Sequence, residues 1–284
     1  MSRNNLDRVG SVQNADSPST QQEAKKFDPL HFVAPTEFVD LPSKGLGYPE
    51  GHPLFGEDTI EIRFMTAKDE DILSSRTLLK KGVAIERFLD NIIVNKSINC
   101  SDLIVGDRNA IIIAARISGY GSDYETQLSC PSCGVKSNFT FDLNDQTIQE
   151  SQIDESLFLT KNENGNFNTV MPYSKFNVEF KILMGKDESY LTKLATKNKK
   201  DKFTDSILTS QYKLMITSIE GHQEQSIIDQ YVDNMPTIDS RHLRACYKLA
   251  APDVKVIQTF SCPSCGYEEG MEVPFGADFF WPDR

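Results

Sequence analysis

The sequence predicts an α+β protein built from two pseudo-symmetric repeats, each a strand, helices and a Cys-tipped hairpin, joined by a shared zinc ribbon. Three observations predict this. The motif Cys-Pro-Ser-Cys-Gly occurs twice, at Cys130–Gly134 and Cys262–Gly266, an offset of 132. A helix-like segment beginning at Asp107 is matched by one beginning at Asp239, again at an offset of 132. Further upstream, Glu61-Ile62-Arg63-Phe64 runs into Lys68-Asp69-Glu70. In the same way Glu179-Phe180-Lys181-Ile182 runs into Lys186-Asp187-Glu188, at an offset of 118. Self-similarity at fixed offsets is the mark of internal repeats, and two copies suit a paired arrangement, being too few for a solenoid. The change of offset from 118 to 132 places 14 extra residues in the middle of the second copy.

The elements follow in chain order. Residues 1–27 are rich in Ser, Gln and Asn and poor in aromatics, so a disordered tail is expected. Residues 28–60 hold dense Gly and Pro, notably Ser43-Lys44-Gly45-Leu46-Gly47-Tyr48-Pro49, and read as a shaped run of turns. Ser43-Lys44-Gly45 lacks the spacing of a phosphate-binding loop. Residues 61–143 form repeat 1 with the first zinc knuckle. In this repeat Ile85, Phe88, Leu89, Ile92 and Ile93 fall at helical spacing. Residues 144–178 connect the repeats. Residues 179–275 form repeat 2 with the second knuckle, and Tyr212, Met215, Ile216 and Ile219 make its matching helical stripe. Asp107 and Asp239 stand just before apolar helical segments and are expected as N-caps. Residues 276–284 are an aromatic tail in which Phe279, Phe280 and Trp281 form a candidate partner-binding anchor, since Trp and Phe dominate interface hot spots.

The cysteines carry the chemistry. Each motif sits between two alternating segments, so each is expected at the tip of a hairpin. Two residues between the sulfurs let both face one ion about 2.3 Å away. The glycine after the second cysteine can take a positive φ and turn the backbone around that ion. Together Cys130, Cys133, Cys262 and Cys265 offer four thiolates, a set that fits one structural Zn²⁺ and leaves no open position for catalysis. Disulfide or redox pairs are the competing reading, disfavoured in a reducing compartment. Cys100 and Cys246 do not hold equivalent positions in the two copies and read as buried thiols.

Several function classes are excluded or weakened. The four histidines show no metal-binding spacing, and no hydrolase, kinase or dinucleotide signature occurs, so no enzyme is expected. No run of about 18 apolar residues exists, so no membrane-spanning helix is expected. The N-terminal residues show neither a secretory signal nor a transit-peptide pattern, which points to a reducing cytoplasm. The formal net charge is −11, which repels nucleic-acid phosphates. The exception is a basic cluster from Lys193 to Lys202, which reads as a solvated helix end.

Leu41-Pro42-Ser43-Lys44-Gly45 with Tyr48-Pro49, then Met65-Thr66-Ala67-Lys68-Asp69-Glu70, then the Cys-Pro-Ser-Cys-Gly motifs, resemble a family of T4-like bacteriophage baseplate hub and hub-assembly proteins. The resemblance spans roughly residues 38–280. It implies a non-enzymatic structural or assembly protein of a contractile tail, with other tail and hub proteins as partners and no small-molecule substrate. It also implies a location in the host cytoplasm during assembly or in the virion baseplate. It supplies no catalytic residues. The alternative from the residues alone is a zinc-ribbon regulator that binds nucleic acid or the transcription machinery.

Overall fold

The computed structural model describes residues 34–201, 207–273 and 277–280, with backbone alone over 195–201 and 277–278. The expected tail at 1–27 lies outside the described residues, as do Lys202 and Trp281. Among the described residues the architecture is mixed α+β, with four small sheets and helices packed around them.

Strand β1 (Thr36–Asp40) pairs antiparallel with β2 (Thr59–Arg63), Thr36 facing Arg63 and Asp40 facing Thr59. Ile60 and Ile62 of β2 point into the core, as a period of two requires of a half-buried strand. Helices α1 (Ala67–Ser74), α2 (Arg76–Lys81) and α3 (Ala84–Ile92) follow. Gly82 ends α2 in the left-handed conformation that glycine adopts without penalty. Helix α3 buries Phe88, Leu89 and Ile92 of the expected stripe together with Ala84, while Ile85 is half-buried. Ile93 lies just beyond it and bridges back to Ile62. Helix α4 (Val105–Tyr120) buries Ala110, Ile111 and Ile113, and β3 (Asp123–Ser129) then pairs with β4 (Lys136–Asp142) as a hairpin.

The chain continues through β5 (Gln146–Gln149), β6 (Thr160–Lys161), β7 (Phe167–Val170) and β8 (Asn177–Phe180). Helices α5 (Gly185–Asp201) and α6 (Ile207–Met215) lead into β9 (Ile216–Ile219), which completes a sheet in the order β6-β7-β8-β9. The expected stripe is therefore half right. Tyr212 and Met215 are helical, whereas Ile216 and Ile219 are strand residues opposite Phe180 and Val178. Helices α7 (Gln225–Asn234) and α8 (Thr237–Ala250) precede β10 (Asp253–Ser261) and β11 (Glu268–Glu272). Strand β10 lies between β5 and β11, so it links the segment that follows the first hairpin to the second hairpin.

Asp107 and Asp239 are not N-caps, because α4 and α8 each begin two residues earlier. Both carboxylates are fully buried in the third helical position and hold a distant turn. Asp107 accepts from the Ser43 N–H at 2.9 Å, the Ser43 hydroxyl at 2.6 Å and the Tyr48 hydroxyl at 2.7 Å. Asp239 accepts from the N–H groups of Tyr173 at 2.8 Å and Ser174 at 3.1 Å. Lys44 and Lys175, just after these serines, share a left-handed backbone at φ 49° and 63°.

A second pair of carboxylates shows the same likeness. Asp69, at the start of α1, binds Arg63 six residues earlier, with contacts of 2.6 and 2.9 Å. Asp187, at the start of α5, binds Lys181 six residues earlier at 3.1 and 3.2 Å.

Two main cores result. The first gathers Phe88, Leu89, Ile111, Ile113 and Phe141, and it also receives Val254 and Val256 from β10. The second gathers Phe167, Phe180, Met215, Ile228, Leu243 and Cys246. Cys100 and Cys246 are both buried, as expected. Two residues of the expected partner anchor, Phe279 and Phe280, face the protein's own core, and each is only 1 % exposed. Phe280 meets Phe88 edge-on at 5.2 Å, and Phe279 packs against Tyr124 at 5.0 Å. The reason is energetic, since each ring removed from water contributes about 2 kcal/mol.

Candidate metal centre

The two cysteine motifs fold alike. At the tip of β3–β4 the Gly134 N–H donates to the Cys130 carbonyl at 2.9 Å, and the Cys130 N–H donates to the Val135 carbonyl at 2.9 Å. At the tip of β10–β11 the Gly266 N–H donates to the Cys262 carbonyl at 3.0 Å, and the Cys262 N–H donates to the Tyr267 carbonyl at 2.8 Å. Gly134 and Gly266 have φ of 72° and 69°. That left-handed step turns each chain back and leaves both sulfurs of a pair on one side.

The tips meet. Cys130 Sγ lies 3.7 Å from Cys265 Sγ, and Cys133 Sγ lies 3.7 Å from Cys262 Sγ. All four sulfurs fall within 4.8 Å of one another. A tetrahedron with metal–sulfur bonds of 2.3 Å has sulfur–sulfur edges of about 3.8 Å, so this spacing suits an ion at the centre. The same 3.7 Å is far beyond a disulfide bond, and all four cysteines are free. Among the described residues this is the one group of three or more His, Cys, Asp or Glu side chains placed to share an ion.

The surroundings are half dry. Cys130 and Cys262 are buried with Phe260, and Leu128, Phe139, Tyr267 and Met271 pack around them. Phe139 and Phe260 meet edge-on at 5.8 Å across the two hairpins. Cys133 and Cys265 are on the exposed side. The N–H groups of Cys265 and then Ser264 pull the Cys262 thiol down to about 6. The Val135 N–H acts the same way on Cys133, but loss of solvation and the neighbouring thiols push that group up to about 12. A divalent cation at the centre would supply the charge that lets all four bind as thiolates.

Residues 35–281 match the family described as T4 bacteriophage base plate protein. The chain belongs to that family. No curated protein and no solved structure was found to match it. In this base plate family member, no described helix is long and apolar enough to cross a membrane. Of the residues singled out in the sequence, the fold brings the four cysteines together and turns Phe279 and Phe280 inward. Lys193 is exposed on α5, and Lys197, Lys199 and Lys200 have no described side chains. The buried cluster of Ser43, Tyr48 and Asp107, and the turn at Tyr173 and Ser174 held by the buried Asp239, escaped the sequence reading. The one available signal was Pro42-Ser43-Lys44 set against Pro172-Tyr173-Ser174-Lys175.

Proposed function

We propose that this base plate family member is a non-enzymatic structural or assembly protein of the baseplate hub, built from two duplicated halves that share one structural Zn²⁺. The observation that carries the reading is the meeting of two matching cysteine knuckles from segments 132 residues apart. A set of four thiolates suits zinc among the first-row metals and leaves no site for a bound water, so it favours a structural role.

Duplication accounts for the paired features already described. The Arg63–Asp69 and Lys181–Asp187 pairs stand at an offset of 118, and Asp107 and Asp239 at 132. The return strands, Ile93 and Ile216, stand at 123. The 14 extra residues of the second half therefore divide into 5 before this return and 9 after it, where α7 lies. The turns at Lys44 and Lys175 extend the likeness upstream, so the halves begin at β1 and β7 rather than at residues 61 and 179.

The family implies assembly with other phage tail proteins as a component of the virion tail, and the reading proposed here puts that assembly in the host cytoplasm. A nucleic-acid-binding ribbon is disfavoured by charge. The two hairpins expose Asp123, Glu125, Asp142, Glu268, Glu269 and Glu272 against Lys136.

Two measurements test the reading. Elemental analysis should find one zinc per chain, and the cobalt-substituted protein should show a tetrathiolate spectrum without bound water. Affinity purification of the tagged chain from infected cells should recover hub components in stoichiometric amounts. Recovery of nucleic acid in place of tail proteins would reverse the functional assignment.

A further inference from the structure

A cavity of about 210 Å³ lies away from the cysteines. It is walled by the turn-rich loop (Ser43, Pro49), the β6–β7 hairpin (Lys161, Asn164) and the junction of β8 with α5 (Lys181, Met184). No Asp or Glu lines it, although acidic residues outnumber basic ones by 41 to 30 in the whole chain. Lys181 is already paired with Asp187. Lys161 has no carboxylate partner among the described residues. Its ammonium donates to the Leu46 carbonyl at 3.3 Å and lies 5.6 Å from the centre of the Phe167 ring. Lys161 is exposed at the mouth of the cavity, and partial desolvation of its ammonium holds it below its usual pKa. The neighbouring loop residue Leu46 is 62 % exposed.

We infer that this cavity is a receptor site for a single carboxylate of a partner polypeptide, bound by Lys161 with the Asn164 amide and the Ser151 hydroxyl as further donors. Size and charge select this ligand. Drug-sized ligands and nucleotides occupy cavities of about 300 Å³ and above, so a 210 Å³ space takes one side chain or one chain end. One uncommitted ammonium matches one negative charge and leaves a second unpaired, which favours a carboxylate over a phosphate dianion. The exposed Leu46 beside Lys161 offers an apolar contact to the chain that bears the carboxylate. The loop also explains why the site is present once. The segment between Lys44 and Glu61 has 16 residues, whereas its counterpart between Lys175 and Glu179 has 3, so only the first half has a loop long enough to form this wall.

The carboxylate's owner rests on the assembly role proposed above, but the site itself can be read with small molecules. Sodium acetate, titrated into the ¹⁵N-labelled full chain at constant ionic strength, should shift the Gly165 amide and the Asn164 side-chain amide saturably. Acetamide and sodium chloride should not. Lys161→Gln should weaken the acetate response at least tenfold, Lys161→Arg should retain it, and the surface variant Lys193→Gln should leave it unchanged. An equal response to acetamide, no saturable shift, or a Lys161→Gln protein that titrates like wild type would overturn the site. Phosphate that binds while acetate does not would overturn the choice of ligand. If Lys161→Gln fails to fold, the Lys161→Arg protein and the acetate–acetamide comparison still decide. N-acetylglutamate amide represents a side-chain carboxylate and N-acetylglycine a chain terminus, and the tighter of the two identifies the source. These outcomes are independent of whether tail proteins co-purify.

Discussion

Asp69 shows how much one buried carboxylate carries. Burial pushes its pKa up, but the Arg63 guanidinium, Thr66 and Asn91 outweigh this and hold it at about 2. The folded value lies below the ordinary 3.8, so the stabilisation is complete above that pH and is lost as pH falls towards 2. It amounts to about 2 kcal/mol at neutral pH. Urea unfolding of wild type and Asp69→Asn should differ most at pH 7 and converge near pH 2, and parallel pH profiles would refute this role. A second prediction concerns Phe280, which packs on Phe88. Phe280→Ala should cost about 3–5 kcal/mol by cavity formation and leave intact the binding of any partner that reads the surface. A loss of partner binding without destabilisation would restore the anchor reading. Single residues were legible in the sequence where covalent chemistry dictates spacing, as at Cys130 and Cys133. Phe279 and Phe280 were not, because an aromatic pair near a chain end has the same pattern whether its pocket lies in its own core or in another protein.

At the scale of elements, the two hairpins were legible because each strand alternates and each tip carries a turn whose residues have fixed roles. Gly134 and Gly266 have open space where a Cβ would stand, so the cost of substitution is purely conformational. Each glycine-to-alanine change should cost about 1 kcal/mol and lower metal affinity, measured by competition with a chromophoric chelator. Unchanged affinity in both variants would mean that the turn is not set by the left-handed step. Strand β9 was misread for a physical reason. Tyr212, Met215, Ile216 and Ile219 satisfy helical spacing, yet β8 offers Ile216 and Ile219 a ladder, and β-branched residues take it. Strands β1, β5, β6 and β7 are no longer than five residues and gave no periodic signal long enough to read.

Across the whole molecule, the cysteine cluster brings together two segments separated by residues 134–261, a stretch of 128. A cross-link of that span removes about 5 kcal/mol of unfolded-chain entropy in the loop-closure treatment. Chelation should therefore lower the melting temperature substantially, and Cys130→Ser with Cys262→Ser should make the protein insensitive to the chelator. Equal melting with and without chelator in wild type would show that the ion does not fasten the fold. The recurring offsets point to two paired halves, but they gave no sign of the crossing of β10 onto the first core, because sequence alone does not reveal which segment covers which. The separation of the two knuckles also has a consequence in time. At about 5–20 residues per second, the ribosome releases the second sulfur pair roughly 6–26 s after the first. For that interval a nascent chain presents Cys130 and Cys133 with half of their coordination shell missing. Only a polypeptide translated past Cys265 can acquire the complete site, so metal occupancy would distinguish copies that have passed this point from copies cut short before it.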